Sequence, residues 1–318
     1  MSVINCFFMA LFLYTGSALA GEPRPNALQV LEKMTQAMKV LNYQGTVAFL
    51  KNGKLEPMKY VHAAEKGIEQ ERLLSLNSPL REIIRDADKI SCRFKETQQT
   101  IVDHRPFERS FLVDMPANLE AMGTIYQFEM MGEENVAMLP SYIVAIRPKD
   151  NYRYSRKLWI DMQSFLPLKV VIYDNSGAPL EQLVFTDMEV KDTLPFADAL
   201  DAGDSTRHIH ELQPQSSEQA GFVVTGLPPG FHELFFTRKP MHGTGQLVDH
   251  LSIGDGFTLV SIYMESKSGA MQSGPQSVGA VNFFSRTIDD SQLTVMGEVP
   301  AETVKLIAEG IKLRNPAE

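Results

Sequence analysis

Few residues of this chain are of a type and spacing suited to chemistry. His208 and His210 form an H-x-H pair able to supply two ligands to a metal ion, but no Cys or third His stands at ligand spacing beside them. The pair is read as solvated, with no metal and no cofactor. The carboxylate pairs Glu133–Glu134 and Asp289–Asp290 are read as solvated charge at turns. Cys92 precedes Arg93, a cation of the kind that activates a thiol. The surrounding Lys89-Ile90-Ser91-Cys92-Arg93-Phe94 alternates like a strand, however, which makes Cys92 a small buried core residue. There is no Gly-rich phosphate loop, no G-x-S-x-G elbow, no H-E-x-x-H and no paired-Cys motif. A triad assembled from distant residues stays open on spacing alone, but the reading is a binding protein, not an enzyme.

Two features suit binding. The run from Arg147 to Trp159 is the densest cationic segment, with Lys149, Arg153, Arg156 and Lys157 interleaved with Tyr152 and Tyr154. It suits acidic head groups or a carboxylate-rich peptide, or else it is a polar strand edge with Trp159 buried. Met115, Met122, Met130, Met131, Met138 and Met162 are flexible apolar side chains. On the concave face of a curled sheet they would accept an acyl chain or a partner segment; ordinary core filling explains them equally well.

The elements that must position these residues follow from pattern. Residues 1–20 carry an apolar run into Ala18-Leu19-Ala20, which reads as an export signal cleaved after Ala20. The run is shorter than the roughly 20 residues of a membrane span. Asn26 and Gln29 are spaced as a capping box, and Leu28, Leu31, Met34, Met38 and Leu41 then recur at helical spacing. From Asn42 to about Val190 the chain reads as many short strands, with Asn52-Gly53 as a hairpin turn and a helix around Ala117 to Thr124. Such strands imply an antiparallel meander curled around the first helix. Residues 196–220 have linker composition, which divides the chain into 21–195 and a smaller unit at 221–318. In the second unit, strands are interrupted by a loop from Lys267 to Ser277 and followed by a helix opened by Pro300.

The composition, 44% hydrophobic and 22% charged, is that of a globular protein, and about 300 residues after cleavage suffice for two domains. Residues 1–20 hold no charge, so the exported chain keeps the net charge of -9. That balance argues against nucleic acid as a partner, because such binding rests on neutralising phosphates.

The segments Asn42-Tyr43-Gln44-Gly45-Thr46, Met58-Lys59-Tyr60-Val61-His62, Glu71-Arg72-Leu73 and Pro79-Leu80-Arg81-Glu82 resemble the RseB/MucB family of sigma-E regulatory proteins. The most specific is Pro148-Lys149-Asp150-Asn151-Tyr152-Arg153-Tyr154 followed by Leu158-Trp159-Ile160-Asp161. Gly230-Phe231, the stretch from Val248 to Gly256, and Gly279-Ala280-Val281-Asn282 extend the similarity into the second unit. Departures are Ser78 and Ser155 in place of glycine, Val136-Ala137-Met138-Leu139 in place of an arginine- and glycine-bearing block, and Phe165-Leu166 in place of a Gly-Leu turn.

The resemblance implies an α+β chain: an N-terminal unclosed antiparallel β-barrel over helices, like the lipoprotein carriers, plus a smaller C-terminal sheet-and-helix domain. It implies a periplasmic protein that binds the periplasmic region of a membrane anti-sigma factor and shields it from site-1 proteolysis. Lipopolysaccharide or lipoprotein acyl chains would release that grip, and self-association is left open. The alternative is a lipid or lipoprotein carrier without a regulatory role. Charge, aromaticity and motif position together nominate Arg81, Tyr152, Arg153, Tyr154, Arg156, Phe231, His232, Phe235 and Arg238 as partner-binding residues.

Overall fold

Helix α1 (Ala27–Val40) begins as its sequence predicts. The Asn26 side chain accepts from the Gln29 backbone N–H at 2.9 Å, and the Gln29 side chain accepts from the Asn26 N–H at 3.0 Å. Its apolar face, Val30, Leu31, Met34, Ala37 and Met38, is buried. The computed structural model describes residues 24–86, 89–97, 99–104, 110–197, 206–210, 215–240, 246–267 and 273–314. The export segment lies outside the described residues.

Strands β1 (Asn42–Lys51), β2 (Lys54–Glu65), β3 (Ile68–Ser75), β4 (Arg81–Asp86), β5 (Lys89–Phe94) and β6 (Gln99–His104) form one antiparallel meander. A second consists of β7 (Tyr126–Val136), β8 (Leu139–Pro148), β9 (Ser155–Asp161), β10 (Pro167–Tyr173) and β11 (Pro179–Lys191). Pairing of β1 with β11 joins them. Gly45 sits at that joint because a Cβ there would lie 2.1 Å from the Asp187 carbonyl oxygen. The sheet ends at β7 on one side and at β12 (Thr206–His210) on the other, and among the described residues those ends are not paired with each other: the barrel is unclosed. Helix α1 contacts β2, β7 and β8, so the sheet curls around it and buries its stripe.

The second domain is built on a six-stranded sheet in the order β14-β15-β16-β19-β18-β17. In chain order, β13 (Phe222–Val224), β14 (His232–Pro240), β15 (Leu247–Gly254) and β16 (Leu259–Ser266) come first. Then follow β17 (Gly274–Val278), β18 (Val281–Ile288), β19 (Ser291–Gly297), helix α2 (Ala301–Glu309) and β20 (Ile311–Leu313). Val304, Ile307 and Ala308 of α2 close a core with Phe236, Leu251, Ile262 and Val295. The small strand β20 pairs with β13.

The structure corrects several expectations. Residues 206–210, read as linker, form β12, which runs parallel to β6. Their side chains, including the His208–His210 pair, lie outside what is described. Nearby Ala197 exchanges two hydrogen bonds with the Gln70 side chain (2.7 and 2.9 Å), tying this segment to β3. The helix expected at 117–124 is one 3-10 turn at Ala121–Thr124. Part of the loop expected at 267–277 is β17. Glu133 and Glu134 lie within β7, not at a turn, whereas Asp289 and Asp290 do join β18 to β19. Cys92 is half-buried, and burial pushes its thiol up from the ordinary value.

Candidate functional site at the seam between the domains

The segment from Arg147 to Trp159 leaves β8, turns, and re-enters as β9, an interior strand between β8 and β10. The turn puts Arg153 against the second domain, where its side chain has no exposed surface. Its Nε donates to Asp255 Oδ2 at 2.5 Å, and its two terminal nitrogens donate to Asp150 and to the Pro229 carbonyl oxygen. The guanidinium lies 4.5 Å from the Phe231 ring centre and 5.7 Å from that of Tyr126.

Asp255 completes the arrangement. Its Oδ2 also accepts from the Tyr126 hydroxyl at 2.7 Å, and its Oδ1 accepts from the N–H groups of Phe257 (3.1 Å) and Thr258 (2.8 Å). One oxygen therefore holds the first domain and the other shapes the turn between β15 and β16. Burial, reinforced by the Asp255 charge, pushes the Tyr126 hydroxyl far above the ordinary phenol value. Gly256, at φ +98°, passes so close that a Cβ would lie 2.6 Å from the Pro116 Cβ. The turn delivers Phe257, 1% exposed, into the core of the first domain. Its ring centre is 4.9 Å from Tyr126 and 6.3 Å from Phe128.

Further contacts extend the seam. Asn282 donates to the Tyr154 hydroxyl (2.8 Å) and the Val299 carbonyl (2.7 Å), and the Thr303 hydroxyl donates to the Tyr152 carbonyl (3.0 Å). Glu181 accepts from the Ala280 N–H at 3.0 Å and pairs with Lys51 at 2.8 Å.

Beside the seam opens a cavity of about 750 Å³, within the range of small-molecule sites. Met38, Val113, Met115 and Met122 line it from the first domain, and Leu234 and Phe257 from the second. Of the six methionines nominated by sequence, Met115 and Met122 are in this lining. Met130 and Met131 are half-exposed on β7, and Met138 is 95% exposed at the β7–β8 hairpin. One wall is polar: Glu71 accepts from Tyr60 (2.8 Å), Ser110 (2.6 Å), the Phe111 N–H (2.9 Å) and Arg85 Nε (3.0 Å). Glu71 and Asp255 each take four donors, which uses the whole acceptor capacity of a carboxylate. Neither has a lone pair left to act as a base toward the cavity; the arrangement holds shape and offers an apolar volume.

The nominated residues divide accordingly. Tyr152, Arg153, Tyr154 and Phe231 meet at the seam, and Arg156 is buried on β9. Arg153 and Arg156, expected to contact a partner, are buried within the chain, because the charge that attracts an acidic partner finds Asp255 and Asp150 first in the case of Arg153. His232 is exposed and lines the cavity. Arg238 lies on β14 with Asp249 (2.5 and 2.8 Å), and Phe235, on the same strand, meets the His250 ring edge-on at 5.3 Å. Arg81, on β4, pairs with Glu56 of β2, and β3, β2, β1, β11 and β10 stand between β4 and β9. The sequence reading missed Asp255, Tyr126, Phe257, Glu71 and Arg85 as site residues; Gly254-Asp255-Gly256 was the available signal, a carboxylate held in a glycine turn.

The family model of the MucB/RseB N-terminal domain matches residues 26–209, and that of the MucB/RseB C-terminal domain matches residues 216–312. The chain belongs to the MucB/RseB family. The sigma factor AlgU regulatory protein MucB of Pseudomonas aeruginosa is 29% identical over 97% of this chain and 98% of its own length. The sigma-E factor regulatory protein RseB of Escherichia coli K12 is 24% identical over 96% of this chain and 97% of its own. Among solved structures, MucB in complex with MucA(peri) is 26% identical with a TM-score of 0.70, covering 91% of this chain and 99% of that one. The Pseudomonas aeruginosa MucA/MucB complex gives 25% and 0.72 over the same shares. The MucB/RseB likeness thus spans both domains and the seam between them.

Proposed function

We propose that this chain is a periplasmic regulator that binds the periplasmic region of a membrane anti-sigma factor, shields it from site-1 proteolysis and so restrains an envelope-stress sigma factor. The observation that carries this reading is the match, across both domains at once, to MucB bound to MucA(peri). On this reading residues 1–20 are an export signal cleaved after Ala20, which brings the mature chain to the compartment of such a partner. The cavity at the seam supports the second half of the reading, in which lipopolysaccharide or a lipoprotein acyl chain loosens the grip. Linkage then requires that the anti-sigma segment weaken lipid binding by the same factor.

The test is titration of the mature chain against the periplasmic segment of a candidate single-span anti-sigma factor from the same organism, with and without lipopolysaccharide. Binding weakened by lipopolysaccharide is expected. No binding at micromolar concentrations would move the chain to lipid carriage.

A further inference from the structure

The turn at Asp255–Thr258 belongs to the second domain by chain position, yet Phe257 is packed as a member of the first domain's core and also lines the cavity. The same turn is anchored to the first domain by one carboxylate, through Arg153 and Tyr126. Whatever removes Phe257 from its place therefore pulls on the Asp255 contacts, since both belong to one tight turn closed by Asp255 N–H to Thr258 O at 3.2 Å.

We propose that Phe257 is a displaceable stopper: an apolar chain entering the cavity takes the place of its ring between Tyr126 and Phe128, and the turn then withdraws from the first domain. This rests on the reading of the chain as a lipid-responsive regulator and gives that response a moving part. Stabilisation by burial scales with apolar area removed from water, and an extended acyl chain buries more of it than one phenyl ring. Within the remaining lining, Met38, Met115 and Met122 are unbranched and flexible and accommodate a changed shape. Withdrawal removes the turn's own contacts and, among the described residues, leaves those of Arg153 with Pro229 and Phe231, of Tyr152–Tyr154 and of Glu181, about which the second domain is free to turn. A ligand that prefers the withdrawn state shifts the population toward it by its differential affinity alone.

The probe is laurate, titrated calorimetrically into the mature full-length chain, with thermolysin cleavage of the 254–259 turn as the readout of docking. The wild-type chain is expected to bind laurate and to lose protection of that turn as it does so. Phe257→Ala is expected to bind laurate about tenfold tighter, because no ring has to be displaced. Asp255→Asn, which keeps Phe257 but weakens its anchor, is expected to bind several-fold tighter, and serves if Phe257→Ala does not fold by circular dichroism. Unchanged or weaker laurate affinity in the folded variants, laurate bound with the turn still protected, or no laurate binding by any variant would each overturn the stopper. Titration of the anti-sigma segment on the same samples separates the two ideas. Its failure with the laurate results intact removes the regulatory reading and leaves the stopper standing.

Discussion

The molecule uses one piece of chemistry twice. In the first domain, Glu71 accepts from Arg85 and Tyr60; at the seam, Asp255 accepts from Arg153 and Tyr126. Each carboxylate is buried and has its other acceptor sites filled by backbone N–H or hydroxyl groups. The difference is where the partners come from. Glu71 lies 14 residues from Arg85 and 11 from Tyr60, on adjacent strands where Glu71 is the cross-strand partner of Arg85. Asp255 lies 102 residues from Arg153 and 129 from Tyr126, in another domain. The first cluster locks the register of a sheet that packing already holds, whereas the second fixes how two independently cored bodies meet.

Removing the arginine from each cluster breaks the comparison open. Arg85→Ala leaves Glu71 and Glu69 without their shared cation, and removal of one partner of a buried pair costs about 3–5 kcal/mol. The expected result is a single urea transition, as is expected of the wild-type chain, with stability lowered by an amount in that range. Arg153→Ala likewise strands a buried carboxylate, Asp255, and a partly exposed one, Asp150, at a cost in the same range that falls on docking. Its expected signature is two transitions in place of one, read by circular dichroism. A single shifted transition for Arg153→Ala would mean that the seam does not depend on this pair.

Alkaline titration sharpens the same contrast. Burial first, and then the adjacent Glu71 carboxylate, pushes the Tyr43 and Tyr60 hydroxyls far above the ordinary value of about 10, as burial and Asp255 do for Tyr126. The folded pKa is raised, so the stabilisation is fully present below pH 10 and is lost as pH climbs from there toward the folded values. The unfolded chain releases these protons first, and each such group contributes up to about 1.4 kcal/mol per pH unit; Tyr154 and Tyr173, also raised by burial, add to the effect. Stability should fall as pH rises from 10 to 11. Tyr60→Phe should make that fall shallower while the transition stays single. A slope unchanged by Tyr60→Phe would place that titration elsewhere.

The difference in sequence separation also explains what was legible beforehand. The capping box of α1, the Asn52-Gly53 hairpin and the strands alternating around it are local patterns, and the structure has them where periodicity put them. Arg153 was legible as important, because it stands in a dense cationic motif, but its role was not. A partner 102 residues away leaves no spacing signal, so an internal ion pair and an exposed binding site look alike in one dimension. Phe257 was invisible for the same reason, since it reads as the start of an amphipathic strand and packs in a different domain. β12 escaped because a short edge strand flanked by polar, Gly- and Ser-rich residues has the composition of a linker.

The smallest expected effect uses a second internal comparison. The β1–β2 hairpin turns through Asn52 and Gly53 at φ 53° and 70°, and the β7–β8 hairpin turns through Ala137 and Met138 at φ 50° and 63°. Both are two-residue turns with positive φ at each centre, a conformation that suits Asn-Gly and costs other residues roughly 1 kcal/mol apiece. Met138 is 95% exposed, so its side chain gives up no packing when removed. Ala137→Asn with Met138→Gly should stabilise the first domain by about 1–2 kcal/mol, measured as a raised urea midpoint. The same pair of changes placed in Arg153→Ala has a sharper use. If Arg153 holds the seam, only the first-domain transition moves and the second-domain transition keeps its midpoint. If both move together, the domains are coupled through the contacts at Tyr154 and Glu181 even without the buried ion pair.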